Sequence, residues 1–534
     1  MTGVTREVNL IDELLAEQQR LTPVERFARR HERTVLPAQA RYYRDLIPSA
    51  KPGAGQQYAF AVDLDACSGC KACVSACHSL NGLEEHETWR DVGLITGIEE
   101  RKPYLQTVTT ACHHCLEPAC LEGCPVLAYD KDPETGIVRH LDDQCIGCQY
   151  CTMKCPYDVP KYSRRLGIVR KCDMCTDRLA VGEAPACVQA CPHEAITIRL
   201  VDVAEVSAAA QAKTHIIPGA FDSSYTKPTT AYLSKKEIPE NAEPADAHAL
   251  RLEHAHWPLI IMLLFSQLAA GMYLTLAALG VSRGEAFLRY AIVPATIGLM
   301  GLNAGLAASV FHLGRPLGAW RFFLGLRTSW MSREILAFGI FASMAFAATT
   351  LCWMAPGSPY ALAGLAGAAI TGLAAVFTSV MIYADTRRPY WALPLTAARF
   401  YGATVSLGTT TVAAVLSRVA GSGEEFRIAM ILSIVVGTAV FGWETWSGVR
   451  AANNPLSPVH RSEQTIRTLL PWFRPARLGL SLLGTFASVL ALVASDPVTM
   501  VAAGMALAAV CAAHLIERFG FFTAVTAPRM PGGI

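Results

Sequence analysis

Residues 145–156 read Cys145-Ile146-Gly147-Cys148-Gln149-Tyr150-Cys151-Thr152-Met153-Lys154-Cys155-Pro156. Three cysteines recur at intervals of three, a fourth follows after a gap of three residues, and a proline closes the run. The same spacing, without the proline, occupies Cys67, Cys70, Cys73 and Cys77. Stretched versions occupy Cys112, Cys115, Cys120 and Cys124, and Cys172, Cys175, Cys187 and Cys191, each followed by proline. The four quartets hold 16 of the 18 cysteines in a chain of 534 residues.

Such spacing suits iron. Three closely spaced thiolates on a tight loop can hold three corners of one [4Fe–4S] cubane, and the fourth, entering a departing helix, reaches a neighbouring one. Thiolate and iron are both soft. The run C-x2-C-x2-C-x3-C-P is the bacterial ferredoxin spacing. A structural zinc site would use two CxxC pairs rather than triplets with a trailing Cys-Pro, so a non-redox zinc scaffold is the weaker alternative. A disulfide framework belongs to small exported chains. The polar stretch Glu7–Arg20 carries no apolar signal core and no twin-arginine motif, which predicts an unexported N-terminus.

Working outward, residues 1–57 read as a charged helical arm, either solvated or clasping a partner subunit. There, Thr22-Pro23-Val24-Glu25 offers an N-cap, a first-turn proline and a capping box. Residues 58–203 form the cysteine domain, with strands expected at Tyr58–Leu64 and Ala195–Val203. Residues 204–256 are polar, proline-dotted and without strong periodicity, and read as an extended linker. Eight apolar stretches follow, near 257–280, 290–313, 335–356, 360–384, 400–417, 428–449, 478–495 and 498–516. A span needs about 20 residues, and the fifth and seventh stretches are the shortest. The expected fold is therefore an α+β ferredoxin-like four-cluster domain followed by an all-α bundle of eight transmembrane helices over 257–534. Overall 52% of residues are hydrophobic and 17% charged, with a net charge of +2. No basic stripe or helix-turn-helix suggests nucleic acid.

The four-quartet domain resembles the iron–sulfur subunits of molybdopterin oxidoreductases of the dimethyl sulfoxide reductase type. The membrane half resembles the haem-free eight-helix anchor of the same enzymes, through His256-Trp257-Pro258-Leu259, His312-Leu313-Gly314-Arg315-Pro316 and Ser332-Arg333-Glu334-Ile335. Those parts are usually separate chains; here they are fused. The resemblance implies that the first quartet pairs with the fourth and the second with the third. Cluster 1 would then use Cys67, Cys70, Cys73 and Cys191, and cluster 2 Cys172, Cys175, Cys187 and Cys77. Cluster 3 would use Cys112, Cys115, Cys120 and Cys155, and cluster 4 Cys145, Cys148, Cys151 and Cys124. Some relatives replace the second cysteine of the third quartet; Cys148 is kept here, so four [4Fe–4S] clusters are expected. The implied role is an electron-transfer and anchor subunit between a molybdopterin catalytic subunit and membrane quinone. Another quinone-linked or ion-translocating respiratory complex is the alternative.

Ionisable groups near a bilayer are costly and mark functional candidates. Here they are His312, Glu334, Asp385, Glu444, His514 and Glu517, all at the side of the bundle expected to carry the cysteine domain. The resemblance ties the histidine of the HLG motif to quinol, which falls on His312; Arg315, Glu334 and His514 complete the candidate quinone site. Paired haems would need four inward histidines, and only His312 and His514 lie in or at an apolar stretch, so no haem is expected. After Trp257 the chain has 18 arginines and no lysine. Fourteen fall on the side of the cysteine domain and four opposite. Positive residues stay cytoplasmic, which places both termini and the clusters on the cytoplasmic side of the inner membrane.

Two outcomes follow from sequence. Purified protein should carry about 16 iron and 16 acid-labile sulfide per chain, at four irons per cubane; stoichiometric zinc with little iron would overturn the cluster reading. A reporter active only outside the cytoplasm, fused after Ile534, should be inactive, and activity would show the helix count or the charge rule to be wrong.

Overall fold

The protein is described from a computed structural model covering residues 9–33, 39–99, 101–212 and 215–532. The arm forms two exposed helices, Leu10–Gln19 and Pro23–Arg33. The capping box is made in both directions: the Thr22 amide donates to Glu25 Oε2 at 2.7 Å, and the Glu25 amide donates to Thr22 Oγ1 at 3.2 Å.

The cysteine domain is held by short β-elements. Strand Gln56–Asp63 is central, antiparallel to Ile196–Asp202 and parallel to Ala231–Leu233. Its six middle residues are all buried, because layers cover both faces. A hairpin of Asp91–Glu99 with Lys102–Thr110 takes Glu243–Pro244 on its outer edge. Two small hairpins, Tyr129–Lys131 with Val138–His140 and Lys161–Ser163 with Ile168–Arg170, stand among the cysteine loops. Two of these edge strands come from the segment read as a linker. Residues 204–256 are more than a connection. They contain most of helix Val203–Gln211 and both strands, and Thr226 and Thr230 hydrogen-bond Tyr157 and His113. Short edge strands lack the alternation that would announce them, since tertiary pairing supplies their order.

Among the described residues, eight helices are long and apolar enough to span a membrane: Trp257–Arg283, Ile292–Val310, Trp330–Met354, Pro359–Ala384, Leu393–Val419, Glu424–Ala452, Phe473–Val493 and Asp496–Thr523. The fifth, expected to be among the shortest, has 27 residues. It reads as short because Thr404, Thr409, Thr410 and Thr411 lower its hydropathy. Each of these hydroxyls donates to a carbonyl one turn back, and the helix is buried among the others rather than facing lipid. It crosses the first span at Gly271 and Gly408; a Cβ on Gly271 would lie 1.8 Å from the Thr404 carbonyl oxygen. Small residues permit this backbone approach, the usual basis of packing in lipid.

The cysteine domain sits on the loops after the second, fourth and sixth spans. Arg315 N–H donates to Ile146 O at 3.0 Å, and the Arg315 guanidinium to Asp142 O at 2.8 Å. Gly325 N–H donates to Pro125 O, and Ser329 Oγ to Gly123 O. Lys154 Nζ pairs with Asp385 at 2.7 Å, and Arg461 donates to Ala249 O. At the HLG turn, a Cβ on Gly314 would stand 2.1 Å from Gly167 O. Gly314→Val should therefore force the two halves apart, at roughly 1–3 kcal/mol or more for an overpacked contact. The check is thermal bleaching of cluster absorbance in detergent-solubilised protein, and an unchanged midpoint would show that the contact is dispensable.

Candidate electron-transfer centre

Each cysteine loop is bent by residues with positive φ. Gly69 and Lys71 lie in the first quartet, Gly147 and Gln149 at the same positions of the third, and His114, Met174 and Cys175 in the other two. This conformation turns successive amides inward, as in an anion-binding nest. The amides meet sulfur: Gly147 N–H reaches Cys145 Sγ at 3.4 Å, Met174 N–H reaches Cys172 Sγ at 3.4 Å, and Ala128 N–H reaches Cys124 Sγ at 3.2 Å. Ala195 N–H reaches Cys191 Sγ at 3.3 Å.

The fold brings cysteines of different quartets together. Cys73 faces Cys187 and Cys191, and Cys77 faces Cys187 and Cys175. Cys120 faces Cys155, Cys112 and Cys115, and those four line one cavity. Cys151 faces Cys148, Cys145 and Cys124. Thus the first quartet meets the fourth and the second meets the third. Cys67 and Cys70 are the more exposed members of their loop. Burial drives Cys73 and Cys77 toward the neutral form, Cys77 up to about 12, and neighbouring sulfurs add to the effect. Such a set is unfavourable as bare thiolates and favourable once iron shares the charge. Among the described residues no three His, Cys, Asp or Glu groups converge closely enough for one ion. Donor type, amide contacts and grouping all fit iron–sulfur clusters.

The third quartet's loop meets the membrane half. His312 is buried against it, with the Cys148 backbone as hydrogen-bond neighbour and Nε2 without a partner among the described residues. Burial holds its imidazole down to about 4. Its ring stands 5.0 Å from that of His256, which stands 4.7 Å from that of His254. Burial, then the charges of His312 and His254, push His256 to about 3. Both outer histidines line a cavity of about 250 Å³ with Glu253, Arg388 and Trp391. On the other side of the loop, Tyr150 Oη donates to Ile382 O at 2.9 Å and feels the Glu334 carboxylate. Glu334 itself accepts from Ser379 Oγ at 2.5 Å.

Of the four candidate quinone residues, His312, Arg315 and Glu334 surround this loop; His514 does not. It lines a separate cavity of about 170 Å³ with Arg477, Ser406 and Ser433, among the fifth to eighth spans. Beside it lies an ionic network. Arg477 pairs with Glu444 at 2.6 Å, and Arg518 bonds Glu517 and, at 2.7 Å, Gln267. The i, i+3 and i+4 spacing of His514, Glu517 and Arg518 on one helix is the sequence signal for this grouping, whereas Glu444 and Arg477 join it only through packing of other spans. Asp385, a candidate only as a bare ionisable group, is the partner of Lys154. His254 and His256 precede the first span and so fall outside the sequence-based candidates. Their signal is the His254-Ala255-His256 spacing next to a helix start.

Comparison with known proteins matches these two regions separately. Residues 104–200 match a 4Fe-4S dicluster domain, and residues 252–524, half of the sequence, match the DMSO reductase anchor subunit (DmsC). The B subunit of the anaerobic dimethyl sulfoxide reductase of Escherichia coli K12 is 37% identical over 154 residues, covering 27% of this sequence and 75% of that one. Its Haemophilus influenzae counterpart is 34% identical over 172 residues, covering 30% and 83%. Hydrogenase-2 operon protein HybA of Escherichia coli O157:H7 is 36% identical over 161 residues, covering 25% and 49%. With inter-quartet thiol groups seated on an eight-helix anchor, this protein belongs to the dimethyl sulfoxide reductase family as a fused iron–sulfur and membrane-anchor subunit.

Proposed function

We propose that the protein carries electrons between a cytoplasmic molybdopterin catalytic subunit and the quinone pool of the inner membrane, through four [4Fe–4S] clusters with the cysteine sets given above. When bound, the clusters supply one-electron transfer. The observation that carries the reading is the contact of the Cys145–Cys151 loop with the HLG turn, which puts His312 beside Cys148. A quinone head group exchanges electrons and protons together, so it needs a polar partner next to the last cluster. His312 offers a free Nε2 for the quinol hydroxyl, and its engaged backbone contact fixes the ring. Arg315 anchors the turn to the cysteine domain. Glu334, held by Ser379, is the nearby acid. His256 and His254 lead from His312 to the cavity at the domain junction, a route for protons on the same side as the electrons. Turnover by this route builds no membrane potential by itself.

Orientation rests on the arginines. Arg315, Arg321 and Arg388 donate to backbone carbonyls of the cysteine domain, so the arginine-rich loops and that domain share a side, which the positive-inside rule assigns to the cytoplasm. The similarity to HybA leaves a hydrogenase-type catalytic partner as the outcome to exclude. Purification through a C-terminal tag should bring down a molybdenum-containing subunit.

His312→Ala should lower the rate of cluster reduction by a quinol analogue in membranes at least tenfold, with iron content unchanged. A helix-capping role for His312 predicts less protein but a normal rate per iron, and that result would retire His312 from the site.

A further inference from the structure

Two basic side chains are buried among the cysteines, and neither forms an ion pair with a carboxylate among the described residues. Lys171 is 2% exposed. Its Nζ donates to Val138 O, to Cys172 O at 2.8 Å and to Cys112 Sγ at 3.7 Å. Cys112 and Cys120 belong to the cluster 3 set and Cys172 to cluster 2, and all three act on the Lys171 charge ahead of the Asp173 carboxylate. Arg90 is also 2% exposed. One nitrogen donates to Thr109 Oγ1 at 3.2 Å, and its guanidinium lies 4.7 Å over the Phe60 ring. Nε and Nη2 have no partner among the described residues. Its charged neighbours are Cys187, Cys73, Cys172 and Cys77, the sets of clusters 1 and 2. Around cluster 4, the largest charges on Cys124, Cys145, Cys148 and Cys151 are one another and His140, and none is Lys or Arg. His140 in turn is hydrogen-bonded to Asp142 at 2.8 Å.

We infer that Arg90 and Lys171 set the reduction potentials of the three clusters farther from the membrane, Arg90 acting on clusters 1 and 2 and Lys171 on clusters 2 and 3, while cluster 4 is left without such a charge. This rests on the four-cluster reading. A cluster gains one negative charge when it accepts one electron. A fixed cation nearby stabilises that state and raises the potential, the more so where water is excluded. The two orphaned Arg90 N–H groups point the same way, since buried donors need acceptors and cluster sulfides would be acceptors in reach of both sets. Burying an unpaired cation for stability alone is unfavourable, because an apolar side chain of similar volume would serve as well or better. The consequence is an uneven wire. Electrons reside preferentially on the outer three clusters, with cluster 2 influenced by both cations, and cluster 4 exchanges with quinone without holding charge.

The test is an EPR-monitored redox titration of the full-length protein in membranes, with iron measured on the same sample. In Lys171→Gln, two of the four one-electron steps should move negative by at least tenfold in equilibrium constant, about 59 mV for a one-electron couple. The other two should stay. In Arg90→Gln, two steps should again move, one of them shared with Lys171→Gln, and the step that moves in neither variant should be cluster 4. Full iron content with unmoved steps, or with all four moving alike, overturns the inference. Should Lys171→Gln fail to retain its iron, Arg90→Gln decides alone by the same criterion, because that side chain makes one hydrogen bond in the fold. An iron content in the unmodified protein far from four cubanes would instead sink the four-cluster reading, so the two failures are distinguishable.

Discussion

At the junction of the two halves, glycine meets glycine. Gly147 follows two residues after Cys145, Gly167 turns the hairpin beside it, and Gly314 sits in the HLG turn of the membrane half. A side chain on Gly147 would overlap Gly167 O at 2.2 Å, and one on Gly314 would overlap the same atom at 2.1 Å. Gly147 also needs its left-handed φ of 68° to turn amides toward sulfur. One residue therefore answers to the cluster loop and to the membrane contact at once. Backbone hydrogen bonds from Arg315 and Gly325 to Ile146 and Pro125 lock the register. Because those acceptors flank Cys145 and Cys124, the geometry of one thiol set and its position over the bilayer are fixed by the same atoms.

The rest of the membrane half is organised by the cost of charge and of unpaired polar groups in a low-dielectric medium. Glu444, Glu517, Arg399, Arg477 and Arg518 all lie within spans, and each is matched inside the bundle by an opposite charge. Gln267 and backbone carbonyls take up remaining guanidinium donors. The hydroxyls of the fifth span are returned to its own carbonyls, which makes a polar helix tolerable at the centre of a lipid-embedded fold. This ionic region gathers around His514 and the last four spans. His312 and Glu334 stand with the first four. The bundle thus holds two polar regions, and the cysteine loop touches the one that contains His312.

Much of this was legible in the sequence. Cysteine spacing is largely a local code, because two or three ligands of a cubane come from one tight loop, so the quartets announced iron without any tertiary information. Eight apolar stretches announced eight spans, because a helix crossing a hydrocarbon core needs about 20 predominantly apolar residues in a row. The Thr22–Glu25 cap was readable for the same reason, being made within one turn. The even number of spans put the loops after the second, fourth and sixth on the side of the cysteine domain, since each span carries the chain across once.

Other features lay beyond sequence. The strands inside 204–256 exist only because sheet edges elsewhere accept them, and two or three residues carry no period of their own. The fifth span looked short because hydropathy assumes lipid as the surroundings, whereas this helix is surrounded by protein. His514 looked equivalent to His312 because both are titratable groups on one side of the bundle. Lateral position around a bundle is set by helix packing, which hydropathy does not encode. Asp385 gains a meaning only from Lys154, which is 231 residues away in sequence and 2.7 Å away in space. The sequence by itself determined the chemistry, iron on thiolates beside a membrane, because ligand spacing and apolar length are local properties. Only the tertiary structure decided which thiols face one another, which histidines meet the last of them, and where unpaired cations lie. Those depend on contacts between residues far apart in sequence.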